Sequence, residues 1–428
     1  MEATINEVNT VAREIEITAS ADELKPHFEK KYNEYRPKVD IKGFRKGKAP
    51  LDIVIKLYGE MIEHDSLQEV ATEFYKQAIQ EKTLEPIGEP TLLDMDYKRG
   101  EKLTFKIRYD VRPEISLKKY KGVKVTRPIH LVTDNDVEEE ILRLRRMNAV
   151  LSEIDAVTNE EHVVTCDMQE LDEQGMPIIG KRTEDARFYL ADEKLEEPFK
   201  DALRAAEKGG EYSVQFEHDH GDHKHTVHTR LSAKKIEKVE LPEVDNAFVA
   251  KITNEKVSDV VAFRSDLRRD LETYWKTKSD RAAVNALTAE LLKLHEFEVP
   301  ESLVRAVMES LLKDVADQQP KKELPEDFNY EAFTKENAEY AQAQAKWALL
   351  REELMKKEQI VVVDDDLVAL AEREAPKINI EKERLLEYYK TSDQVRDRLA
   401  GEKLLDALMA SAKVEEVEDT KLSSGKEG

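Results

Sequence analysis

Lys42, Arg45, Lys46 and Lys48 place four cations within seven residues and no carboxylate among them, in a chain that carries 91 acidic against 68 basic side chains. Cations so spaced pair with phosphate or carboxylate oxygens, the arginine bidentately and the lysines as point charges. Phe44 stands among them, and an exposed ring beside Arg and Lys suits contact with an RNA–protein surface. Gly43 and Gly47 flank the ring, and Pro50 is fit for the first turn of a following helix, so the segment reads as a loop tip. The plainer alternative is a solvated basic turn with no partner.

Histidine supplies a second cluster, with five of the ten lying between His218 and His228. If Gly221-Asp222 forms a two-residue hairpin turn, strand periodicity sets His218, His220, His223 and His225 on one face in two cross-strand pairs. Four imidazoles there would suit a soft divalent metal, and the alternative is a polar loop that is His-rich by chance. Other catalytic signatures are missing. There is no phosphate-cradling glycine loop, HExxH, CxxC or nucleophile elbow, and no cofactor is expected. Asp364-Asp365-Asp366 precedes Leu367-Val368 and reads as the N-terminus of a helix, which favours negative charge.

The elements that must position these residues follow from periodicity. Residues 2–18 alternate in part, with Ile15 and Ile17 on one face, and Ser20 with Glu23 is a capping box for a helix over 22–36 that Pro26 should kink or delay. After the basic tip come two helices, 51–57 and 61–81, then Pro86–Pro90 as a break and strands at 91–97 and 103–111 joined by Lys98-Arg99-Gly100. Residues 115–150 hold Val123-Lys124-Val125 and a helix from Thr133 with Val137, Ile141, Leu144 and Met147 apolar. Short strands at 163–168, 187–190, 212–216 and 226–239 surround one helix near 198–206. Beyond about Asn246 the pattern is helical, at 260–294, 300–317 and 330–357 and after Asp364 and Ser392, with Ile360–Val363 as a short apolar run. Residues 415–428 are polar and read as a disordered tail.

A length of 428 residues implies two to four domains, and 37% charged with only 7% aromatic residues and a mean hydropathy of −0.64 describes a surface-rich, elongated molecule. No membrane partner is expected, because no apolar run approaches the roughly 20 residues that span a bilayer. The N-terminus lacks a secretory pattern, and Cys166 is the only cysteine, so the expectation is a cytoplasmic protein without disulfides. A formal charge of −23 disfavours general nucleic-acid binding. Residues 1–113 carry 19 basic and 22 acidic side chains, so the anionic excess lies almost wholly beyond them.

The segment Gly43-Phe44-Arg45-Lys46-Gly47-Lys48-Ala49-Pro50 resembles the ribosome-binding signature of the trigger factor family, and the likeness in segment order and length extends from Met1 to about Val414. The resemblance implies a multidomain α+β protein. Its parts would be an N-terminal α+β ribosome-binding domain (1–113), a linker packing on the C-terminal body (114–150), an inserted β-rich prolyl-isomerase domain of FK-binding-protein fold (151–243), an all-α chaperone domain with arm-like helix hairpins (244–414) and the tail. Gly43, Phe44, Arg45, Lys46 and Gly47, with Lys42 and Lys48 in support, would contact the large ribosomal subunit at the tunnel exit. Unfolded nascent polypeptides would be the clients of an ATP-independent chaperone, and a homodimer would form away from the ribosome.

The resemblance also implies peptidyl-prolyl isomerase activity. Rotation about a peptide bond faces a barrier of about 18–20 kcal/mol, which a desolvated aromatic pocket can lower by binding the twisted amide. The family has an aromatic residue after an Asp on the second strand, a Phe in the next loop and Ile-Pro-Gly-Phe at the helix start. Here the corresponding stretches read Cys166-Asp167-Met168, Pro177-Ile178-Ile179-Gly180 and Glu197-Pro198-Phe199. Phe188, Tyr189 and Phe199 are the remaining pocket candidates, with plain core as the alternative role. The rival reading of the whole chain is a dedicated prolyl isomerase, or a metal-handling protein built on that domain.

Overall fold

The computed structural model describes residues 1–45, 47–172, 174–192, 194–219, 224–325 and 327–418, a mixture of helix and sheet. The chain divides into two compact units, Met1–Arg127 with Arg281–Val417, and Pro128–Asp280.

The first unit opens with β1 (Glu2–Glu7), β2 (Ala12–Ser20), α1 (Ala21–Tyr35), α2 (Leu51–Glu81), β3 (Pro86–Lys98) and β4 (Lys102–Val111), the strands forming an antiparallel sheet in the order β1-β2-β4-β3. The alternation in β2 turns Ile15, Ile17 and Ala19 inward, opposite Ile107, Phe105 and Leu103 of β4. These pack against Leu24 and Phe28 of α1 and Val54, Ile62 and Val70 of α2. The capping box at Ser20 and Glu23 is formed as expected. Contact with the N-terminal ammonium, then the Ser20 amide and hydroxyl, pulls Glu23 down to about 2. Pro26 sits inside α1 without delaying it, because the carbonyl it leaves unbonded belongs to the exposed Asp22 and can take water.

Where two helices were expected, α2 is one helix of 31 residues. Gly59 is a packing residue, not a break: a Cβ there would lie 2.8 Å from Arg99 Nη2. The space admits Arg99 to Glu63, a carboxylate only 4% exposed. Glu63 accepts hydrogen bonds from Arg99 Nε at 2.9 Å and Nη2 at 3.1 Å, from the Tyr97 hydroxyl at 2.6 Å and from the Tyr32 hydroxyl. One side chain thereby ties α1, α2, the end of β3 and the turn into β4. β3 also starts earlier than expected, at Pro86, because register shifts between Ile87 and Thr91 absorb the two prolines.

The chain continues through β5 (Lys124–Ile129), α3 (Asp134–Met147), β6 (Val150–Ile154), β7 (His162–Leu171), β8 (Pro177–Tyr189), α4 (Glu197–Leu203), β9 (Glu211–Asp219) and β10 (Lys224–Glu240). In the second unit these make an antiparallel sheet ordered β6-β10-β7-β8, with β9 on β10. Val164, Leu190, Val214, Leu231 and Ile236 form its core with Leu203 of α4. Helices α5 (Asn246–Ile252) and α6 (Val260–Leu294) follow, and Val249 and Phe263 bury Val137 and Ile141 of α3.

The remaining helices are α7 (Glu301–Asp317), α8 (Tyr330–Glu358), α9 (Asp364–Ile378), α10 (Lys382–Thr391) and α11 (Asp393–Ser411). Within the first unit Leu287, Leu291, Leu350, Leu354, Leu404 and Leu408 make a second core that covers Val123 and Val125, while α9 and α10 pair through Leu367, Leu370 and Leu385. Two expectations fail here. Residues 415–418 are not disordered: they belong to β11 (Lys413–Glu418), which pairs with β5 and carries the Arg127–Glu416 ion pair. The all-α body therefore carries a strand, since the valines at 414 and 417 fall among charges and gave no alternation to read. Ile360–Val363 forms no strand and leads into α9. The rest of the tail lies outside the described residues. Among the described residues no helix is long and apolar enough to cross a membrane.

Replacing Glu63 by Ala strands the buried Tyr32 phenol and the half-buried Tyr97 phenol, while the half-exposed Arg99 rehydrates. The Glu63→Ala protein should lose about 2–4 kcal/mol in this domain. Hydrogen exchange at the amides of α1 and α2, read against those of α9 and α10, would measure the loss.

Candidate functional site

The basic tip occupies the connection between α1 and α2. Ile41 and Ala49 are buried in the core and pin its two ends, while Lys42, Gly43, Phe44, Arg45 and Lys48 are exposed. Phe44 N–H donates to Ile41 O at 3.0 Å and Lys48 N–H to Arg45 O at 2.9 Å, two successive tight turns. Gly43 at φ +97° and Gly47 at φ +75° supply the left-handed backbone these turns require, and at Gly47 a Cβ would also crowd Pro37 at 3.1 Å. Phe44 is 39% exposed, turned outward and not into the core. Lys42, Arg45 and Lys48 have no carboxylate partner among the described residues, whereas Arg99, Arg108 and Lys31 on the same domain are all paired. Lys46 lies outside the described residues. Ile41 and Ala49 were missed in the sequence, although apolar residues bracketing a charged loop are a usable signal.

On the second unit the inner face of the sheet gathers an aromatic cluster. Phe188 stacks on Phe199 with centroids 5.4 Å apart and planes 15° apart, and Phe216 meets Phe199 edge-on at 5.7 Å. Tyr189 is not part of it. Adjacent residues of a strand face opposite sides, and Tyr189 lies on the outer face, its hydroxyl bonded to Glu161 and the Arg146 guanidinium 5.5 Å from its ring. Phe216 joins in its place, a residue that alternation with Tyr212 and Val214 would have singled out. Met168 is half-buried in the same cluster, while Ile179 is fully exposed and Ile178 partly so. Beside them Asp167 accepts from Arg182 and the Asp185 amide and pairs with Lys234, and these partners, Arg182 first, lower it from 3.8 to about 2. Cys166 is buried, and desolvation pushes its thiol up to about 12, so it is no nucleophile.

Backbone pairing of β9 with β10 sets His218 opposite His225, the register expected of the hairpin. His220, His223 and the side chains of His218 and His225 fall outside the described residues. Among the described residues no group of three or more metal-ligating side chains gathers.

Two family models match the sequence, bacterial trigger factor protein over residues 1–144 and bacterial trigger factor protein C-terminus over residues 259–410. The trigger factor of Salinibacter ruber is 30% identical over 424 residues, spanning 95% of this chain and 92% of its own, and that of Chloroherpeton thalassium is 30% identical, spanning 97% and 98%. The chain belongs to the trigger factor family. A solved trigger factor chaperone, described for promiscuous substrate recognition in folding and assembly, aligns over 96% of this chain and 99% of its own at 19% identity and a TM-score of 0.49.

As a trigger factor the protein is a ribosome-associated chaperone. Met168 follows Asp167 on its strand, Ile178 and Ile179 of the next stretch are exposed to solvent, and the rings that gather on this face are Phe188, Phe199 and Phe216. The Asp167 cluster fixes the strands beneath them. Because its carboxylate titrates lower in the fold than at its ordinary 3.8, it adds stability above about pH 4 that fades as the pH falls toward 2. In thermal unfolding, Asp167→Asn should therefore melt below the parent protein at pH 7, with the gap closing between pH 4 and pH 2.

Proposed function

We propose that the tip at 42–48 docks on the large ribosomal subunit at the tunnel exit, with Phe44, Arg45 and Lys46 as the central contacts, Gly43 and Gly47 setting the shape, and Lys42 and Lys48 adding charge. The observation that carries this is an exposed ring among cations that lack carboxylate partners among the described residues, on a chain of net charge −23. Arginine forks and lysine ammonium groups suit rRNA phosphate and acidic protein surface alike. Unfolded nascent chains are the clients, in the cytoplasm. Exposed Tyr330, Tyr340, Val361, Ile378, Ile380 and Tyr388 on and between α8, α9 and α10 offer them scattered apolar contacts. Release needs no nucleotide: each contact is weak, and a folding client withdraws its own apolar surface. In co-sedimentation with ribosomes, the Phe44, Arg45 and Lys46 triple-alanine variant should bind at least about a hundredfold more weakly, since each charge-assisted contact is worth about 1.5–3 kcal/mol. Unchanged binding would move the ribosome contact elsewhere.

A second activity is favoured by the ring stack. Phe199 between Phe188 and Phe216 makes a half-buried aromatic surface able to desolvate a prolyl amide, and isomerase turnover by the inserted domain would follow. On a Pro-containing peptide, Phe199→Ala should slow turnover roughly tenfold, the worth of the lost ring contacts. If the parent protein shows no turnover, the cluster is packing only.

A further inference from the structure

The outer face of the inserted sheet, opposite α4 and the ring stack, carries a cleft of about 500 Å³ that the chaperone and isomerase readings leave unused. Its floor follows from the register. Leu151 of β6 pairs with Val239 of β10, and Val163 of β7 pairs with Tyr189 of β8, so Leu151, Val239, Val163 and Tyr189 form an apolar row across four strands. The end of α3 supplies the wall, with Arg146 and the 69% exposed Met147.

The charges are distributed unevenly. Arg187 leans on Glu237 at 3.5 Å, the Tyr189 hydroxyl is taken by Glu161, and Asp192 at the rim accepts the Lys194 amide at 2.9 Å. Arg146 rests on the Tyr189 ring and has no carboxylate partner among the described residues. A guanidinium on an aromatic face above an apolar floor is preorganised for a carboxylate whose neighbour is apolar. Elsewhere the body is anionic and repels acidic segments of an unfolded chain.

We propose that this cleft is a client subsite for extended polypeptide segments in which an acidic side chain adjoins a large apolar one. The apolar side chain packs on Leu151, Val163 and Val239, and the carboxylate pairs with Arg146. The site complements the exposed apolar residues of α8–α10, which sit on an acidic background, by accepting segments that those surfaces disfavour. It does not depend on ribosome docking.

The test uses the full-length protein without ribosomes and a labelled unstructured dodecapeptide centred on Leu-Phe-Asp-Leu, with its Asp→Asn twin, read by fluorescence anisotropy. Arg146→Glu is compared with Arg204→Glu, an equal charge change at the exposed C-cap of α4, and thermal unfolding verifies that both variants fold. The expected result is that the Asn peptide binds the parent roughly tenfold more weakly, and that Arg146→Glu, but not Arg204→Glu, weakens the Asp peptide to the same degree. Equal binding of the two peptides, or an equal response of the two variants, would overturn the proposal. Leu151→Glu, a change at a 40% exposed position, should lower affinity for both peptides, and indifference to it would place the apolar contact elsewhere.

Discussion

A buried carboxylate is tolerable only when its oxygens are supplied with donors, and Glu63 has four, from two phenols and one guanidinium. The donors come from α1, β3 and the turn that follows it, so satisfying one group fixes the mutual position of the helix pair and the sheet. Burial and the nearby carboxylate both raise the Tyr32 and Tyr97 phenols, which keeps them protonated as donors at any physiological pH. The basic tip hangs from the two helices so fixed, and its ends are set by Ile41 and Ala49 in the same core. A loop held this way presents its cations in one arrangement without needing internal ion pairs. Lys42, Arg45 and Lys48 thus stay available to an outside partner.

Electrostatics then favours a short-range, shape-dependent contact. Surface charges are screened over about 8 Å at physiological ionic strength, so the anionic body weakens the tip less than the total of −23 suggests. Many cations elsewhere are matched locally, as Arg108 is by Glu14 at 2.8 Å and Arg351 by Asp397 at 2.6 Å. Backbone geometry at Gly43 and Gly47 decides where Phe44 and Arg45 point, which is why the proposed contact rests on the two glycines as much as on the charges.

Much of this was legible in the residues because local and tertiary demands agree. Ile15 and Ile17 alternate because one face of β2 is buried, Ser20 and Glu23 cap α1 by local geometry, and the GFRKGKAP tip combines backbone freedom with charge. The failures have two causes, a local signal outvoted by something distant and an exposed strand that gives no signal at all. The expected helices 51–57 and 61–81 run together because Gly59 between them packs beside Arg99, and Pro86 and Pro90 read as a stop until the shifts in β3 register absorb them. β8 runs thirteen residues through a mostly polar stretch whose exposure leaves no alternation to detect. Of the site, the exposed tip was evident, whereas the aromatic cluster needed strand parity to exchange Tyr189 for Phe216.

That parity also links the two faces of the inserted sheet. Phe188 and Tyr189 are neighbours in sequence, yet one joins the ring stack and the other floors the outer cleft. A one-residue slip of β8 on β7 would send both to the wrong side at once. The shifts in register within β7 and β10 fall between Cys166 and Met168, between Gln169 and Leu171 and between Ala233 and Lys235, away from the pairs Val163–Tyr189 and Val239–Leu151. The core residues Val164 and Ile236, wholly buried on the inner face, therefore hold the register that the outer face uses. Loss of side-chain volume at either would disturb the stack and the cleft together, whereas changes confined to Met168 or Arg146 would each act on a single face. The two surfaces can thus diverge chemically while sharing one structural constraint.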